Sequence, residues 1–163
     1  MSGKLVGIIV IVATLIFGAV LYYVQVYAYY DRLDPGAVEL SVVNMATQDA
    51  EPLAVDDLQA IDGSSSPIRF RACFTSIMSD TALSESYEPY AEATPLNAPG
   101  WFDCFDSVEI GEAIEAGEAM AFLGEKNIHD GVDRVIAIMP DGRGFAWHQL
   151  NEQFTDDGSE PIQ

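Results

Sequence analysis

Two cysteines and two histidines are the side chains in this 163-residue chain best suited to nucleophilic, redox or metal chemistry. Their spacing organises none of it. Cys73 and Cys104 stand 31 positions apart, far from the C-x-x-C pattern of a redox-active pair. With His129 and His148 they could compose a Cys₂His₂ zinc set, yet no pair has zinc-ligand spacing. A Cys–His nucleophilic pair is equally open on paper and equally unsupported. If the domain faces an oxidising compartment, one disulfide between Cys73 and Cys104 is the economical reading, with two buried thiols as the alternative. His129-Asp130-Gly131 reads as turn chemistry, and His148 beside Trp147 as a packed or rim residue at a strand end. The sequence therefore assigns no catalytic, cofactor or metal site.

Carboxylates are abundant, with 26 acidic side chains against 7 basic ones and a formal charge of −19. At that density pairs such as Asp56-Asp57 and Asp156-Asp157 arise by chance, so a solvated acidic surface is the default and weak divalent-cation binding the alternative. No EF-hand loop, phosphate-cradling G-x-x-x-x-G-K-[ST] or G-x-S-x-G elbow occurs. The charge is also unevenly placed. No Asp or Glu precedes Asp31, and residues 1–30 carry only Lys4, so the remainder stands at −20. A domain of that charge repels phosphates, which excludes a sequence-independent nucleic-acid binder.

The uncharged stretch explains the positive mean hydropathy of +0.13. Leu5 to Val24 is broken only by Gly7, Thr14 and Gly18. About 20 apolar residues suffice to cross a bilayer core, so residues 1–30 read as a transmembrane signal-anchor. Tyr22, Tyr23, Tyr27, Tyr29 and Tyr30 suit the headgroup level at its far end. A cleaved signal peptide is the competing reading, but its apolar core is shorter and its cleavage site is flanked by small residues, not bulky tyrosines. Lys4 and the terminal amine precede the helix and only Arg32 closely follows it, which favours an inside amino terminus. In a bacterial cell the outer domain is then periplasmic, tethered to the inner membrane. Gly3, Gly7, Thr14 and Gly18 lie on one stripe and could let a second copy pack against the helix as a homodimer.

Residues 31–154 read as one acidic α+β domain with an antiparallel sheet of about five strands and two or three short helices. Alternation marks strands at Ala37 to Asn44 and Ile68 to Phe74, and Ala119 to Leu123 is a short apolar run fit for another. Leu53, Leu58 and Ile61 fall at helix-like intervals, predicting a short helix over Pro52 to Ile61. Ser76 to Gly100, interrupted by Pro89, Pro95 and Pro99, reads as a long excursion with one helical turn around Thr81 to Tyr87. Asp106 with Glu109 forms a capping box for a helix ending at Gly117. Val132 to Met139 and Phe145 to Leu150, joined by Pro140-Asp141-Gly142-Arg143-Gly144, form the clearest hairpin. Thr155 to Gln163 reads as a disordered acidic tail. Phe74, Phe102 and Phe145 are assigned to the core, and Trp101, after Pro99-Gly100, is the better candidate for exposure and partner contact.

The anchor MSGKLVGIIVIVATLIFGAVLYYVQVYAYYDRL, the strand IDGSSSPIRFRACF and the hairpin GVDRVIAIMPDGRGFAWHQLN together resemble a family of uncharacterised small single-pass membrane proteins of alphaproteobacteria. Some of its members carry a histidine kinase label. That mechanism needs a phospho-accepting histidine on a dimerisation helix and a glycine-rich ATP domain, and neither is present in this sequence. The expectation is a non-catalytic, membrane-anchored periplasmic module that binds or assembles another envelope protein, without a cofactor. An enzyme built around His129, His148 or the cysteines, and a ligand or cation sensor signalling through the helix, are the alternatives.

Overall fold

Helix α1 runs Gly3–Tyr23 and passes into a π-helical turn, Val24–Ala28, in the structure, a computed structural model that describes residues 2–78 and 80–153. No side chain of α1 is buried, so its Leu, Ile, Val and Phe residues face outward on all sides. The 26-residue stretch Gly3–Ala28 is long and apolar enough to cross a membrane. Two residues later the chain enters the sheet as β1, Asp31–Arg32. The expected tail, residues 155–163, lies outside the described residues.

Among the described residues, eight strands form two sheets. Strands β1, β4 (Val55–Asp62), β5 (Arg71–Ser76), β8 (Arg143–Leu150), β7 (Val132–Ile138) and β6 (Met120–His129) form a six-stranded antiparallel sheet in that spatial order. Strands β2 (Ser41–Val43) and β3 (Ala50–Pro52) pair separately. The class is the α+β one expected, with more strands than the sequence displays.

The large sheet is apolar on both faces, which dictates the rest. Phe70, Ala72, Phe74, Ile136, Ile138 and Ala146 point to one side, where β2 and β3 with their flanking residues and α2 (Asp80–Ser86) supply Leu40, Val42, Leu53 and Leu83. Cys73, Val135, Ala137, Phe145 and Trp147 point to the other, covered by Phe102, Phe105 and Ile110 from the loop and α3 (Ser107–Glu115). Helix α3 starts as its sequence demands, with the Asp106 carboxylate accepting from the N–H groups of Val108 and Glu109. Gly117, at φ 71°, ends it in the left-handed conformation.

The expected helix over Pro52 to Ile61 is replaced by the end of β3 and by β4. A bulge causes the misreading: the β4–β5 register shifts between Asp56 and Gln59, with Asp57 at φ 53°. That extra residue breaks the alternation of two. Beyond it Ala60 and Ile61 enter opposite cores, so adjacent apolar residues mimic helical spacing. The strand expected at Ala37 to Asn44 shortens because Pro35–Ala37 takes a 3₁₀ turn capped by Asp34. The run Ala119 to Leu123 extends to His129, since Asp130-Gly131 turns it directly into β7.

The Phe74 ring lies flat across Gly144 on the neighbouring strand, and a Cβ there would overlap three of its ring carbons. Gly144→Ala should cost about 1–3 kcal/mol by overpacking, read from denaturant unfolding of the full chain. Gly100→Ala, in open space, should change stability by less than about 0.5 kcal/mol.

Candidate functional site

Cys73 and Cys104 are joined by a disulfide with Cα atoms 6.3 Å apart, leaving no free thiol among the described residues. The bond ties the proline-rich excursion to the central strand β5.

The two histidines come together without forming a reactive pair. Their rings lie 5.7 Å apart, edge to face. His148 is 1 % exposed and stacks on Phe70 at 4.7 Å. Its Nε2 accepts from Arg134 Nε at 3.1 Å, so the proton sits on Nδ1, which donates to the Pro67 carbonyl at 2.9 Å. Both ring nitrogens are therefore committed. Burial, helped by the nearby Arg134 charge, drives its pKa down to about 3. His129 is exposed and lines an open cleft of about 540 Å³ with Asp31, Asp62 and Ser64 to Ser66. Among the described residues no three His, Cys, Asp or Glu side chains gather as metal ligands.

A second cleft, of about 340 Å³, is built differently. Its floor is a polar network that no motif announces: Asp133, Gln149 and Asn151, all buried. Asp133 accepts from the Asn127 backbone at 2.9 Å, Asn151 Nδ2 at 2.8 Å and the Tyr90 hydroxyl at 3.2 Å. Burial first, and then the Asp133 charge, raises the Tyr90 pKa and keeps that hydroxyl protonated. Gln149 receives Trp147 Nε1 and the Thr94 N–H, and donates to the Glu92 carbonyl. Leu123, Leu150 and Pro89 form apolar walls and Lys126 stands at the rim.

Glu88 completes this cleft. Its backbone N–H donates to Val43 in β2 and its carbonyl accepts from Leu123 in β6, so two sheets fix its position. Its Oε2 is nevertheless buried with no hydrogen-bond partner among the described residues. A buried acceptor left unsatisfied costs about 1–3 kcal/mol.

The third feature lies where α1 and its π-helical turn meet the domain. Trp101 is half-buried, not exposed as expected, because it packs on the end of the chain's own N-terminal helix. Its indole Nε1 donates to the Val26 carbonyl at 2.8 Å, one of the carbonyls a helix terminus leaves unpaired. Its ring stacks on Tyr27, which in turn stacks on Tyr23 and meets Tyr22 edge-on. Gly63 permits this docking, since a Cβ there would strike the Tyr29 carbonyl and the Arg69 side chain. Along α1, Gly3, Gly7 and Gly18 meet nothing within 4 Å, and the Thr14 hydroxyl is spent on the Val10 carbonyl at 2.8 Å.

Residues 40–160 match the model of a family of unknown function, DUF6446. The chain belongs to it. The DUF6446 match takes in the Glu88 cleft and Trp101, and leaves outside α1, Arg32 and the wall of the His129 cleft formed by Asp31 and Leu33. Neither a curated protein nor a solved structure matches the chain.

Because His148 binds its proton far less readily when folded than at the ordinary value of about 6.5, the unfolded chain takes up that proton first as pH falls. Stability contributed by the neutral ring is complete above that pH and is lost on descending toward pH 3. Relative to His148→Gln, the native chain should lose about 1.4 kcal/mol per pH unit between about pH 6 and 4, measured by unfolding at fixed ionic strength.

Proposed function

We propose that the DUF6446 domain of this chain is a non-catalytic binding or assembly module, held at a bacterial inner membrane by α1 and engaging another envelope protein through the Glu88 cleft. The buried, unpartnered Glu88 Oε2 carries the reading. It sits among apolar walls and a hydrogen-bonded floor, the pattern of a site that fixes the orientation of a bound group. The arrangement suits an N–H donor, such as an amide or a cationic side chain, presented by a partner segment.

The histidine-based alternative draws less support, since both nitrogens of His148 are occupied by structural bonds. The Lys4 bias and the disulfide both favour a cytoplasmic amino terminus and a periplasmic domain.

A photo-crosslinking residue at Gln153, on the exposed rim of the cleft, should capture a second envelope protein in intact membranes. Glu88→Gln should lower that adduct about ten-fold, the worth of one charge-assisted hydrogen bond. Adducts indifferent to Glu88→Gln, or formed only with a second copy of the chain, would overturn the reading. Orientation is read separately: alkaline phosphatase fused after Gln163 should be active, and activity of a cytoplasmic-only reporter there would reverse the topology.

A further inference from the structure

We propose that Arg32, Arg69 and Trp101 form a binding site for the phosphate groups of membrane phospholipids, seating the domain on the leaflet where α1 ends. The inference rests on α1 crossing a membrane and is independent of what occupies the Glu88 cleft.

Depth comes first. The Gly3–Ala28 stretch has 26 residues, a length of about 39 Å at 1.5 Å per residue, against a hydrocarbon core of about 30 Å. The excess, with Tyr22, Tyr23, Tyr27, Tyr29 and Tyr30 gathered at this end, puts the final π-helical turn in the headgroup layer. Trp101 is bonded to Val26 within that turn and stacked on Tyr27, so it shares the same depth. Indole and phenol rings favour that layer, where an apolar body meets polar surroundings.

Charge is the second observation. Arg32 lies 5.1 Å over the Trp101 ring, and Arg69 lies 4.9 Å over Tyr30 and 5.5 Å over Tyr29. Stacking engages the flat face of a guanidinium and leaves the N–H donors at its edge. Among the described residues neither arginine side chain donates a hydrogen bond or reaches a carboxylate within 4.0 Å, although Asp31 and Asp62 line the adjoining cleft. The other arginines of the domain are all engaged: Arg143 with Glu109 and Asp141, Arg134 with His148 and the Glu39 backbone carbonyl, and Arg71 with backbone carbonyls. Without a carboxylate partner among the described residues, these two guanidiniums are open to an anion from outside the chain. At this depth the anion supplied by the surroundings is the lipid phosphodiester, which the guanidinium fork matches.

The test uses the full chain in phosphatidylcholine nanodiscs titrated with headgroup spin-labelled phosphatidylglycerol, whose net negative charge favours it over the bulk lipid at a cationic site. Trp147, fully buried, is shielded from the label, so quenching reports Trp101 and should vanish in Trp101→Phe. Arg32→Gln and Arg69→Gln should each raise the phosphatidylglycerol needed for half-maximal quenching about five-fold. Arg32→Lys/Arg69→Lys, which keeps both charges but loses the fork, should fall between the native and glutamine requirements. Equal lipid dependence in native and glutamine variants, or competition by inorganic phosphate alone, would overturn the lipid site while the chain remains in the disc. Failure of the native chain to enter the disc would overturn the anchor and the lipid site together.

Discussion

Arg71 lies on the central strand β5 with its guanidinium turned onto backbone carbonyls: those of Ile68 and Phe70 beside it, and those of Leu96 and Asn97 in the excursion above. It is 3 % exposed and has no carboxylate partner among the described residues. Burial lowers its pKa to about 10, which still leaves it charged at neutral pH. Several carbonyl dipoles replace the counterion and the lost water. The exchange matters because the excursion has little regular structure of its own, and buried backbone acceptors require partners. Without that clamp the sheet face carrying Trp147 and Phe145 would lack its lid, and the disulfide at Cys104 would restrain a segment with no seat.

The same logic separates what was legible in the sequence from what was not. The β7–β8 hairpin, the Asp106 cap and the pairing of Cys73 with Cys104 are local or nearly forced, and the structure contains them as expected. Phe74, Phe102 and Phe145 are buried, as an apolar core requires. The β4 strand was illegible because a bulge and a two-sided core both disturb the period of two. A strand such as β7, buried on both faces, shows no alternation that tells one face from the other.

The functional features were harder to see for a different reason. Asp133 and Gln149 are direct partners across β7 and β8, an adjacency that exists only after the register is set. Glu88 is one carboxylate among many until β2 and β6 trap its backbone between them. Trp101 was visible as an unusual loop tryptophan, and its role as a cap on the anchor was not, since Val26 lies 75 positions away. The DUF6446 match and the N-terminal apolar helix are consistent with the membrane-protein resemblance, with the domain carrying the shared portion.

Only Tyr29 and Tyr30 separate the π-helical turn from β1, and the indole of Trp101 closes that short gap. The domain is consequently not a ball on a string. A flexible linker would spread its cleft through a volume set by chain length, giving a partner a diluted, averaged encounter. If the cleft engages another membrane protein as proposed, its effective concentration would be set by geometry, high for a partner that presents its surface at the matching height and angle and near zero for others. Selection by height above the bilayer would then precede selection by contact chemistry.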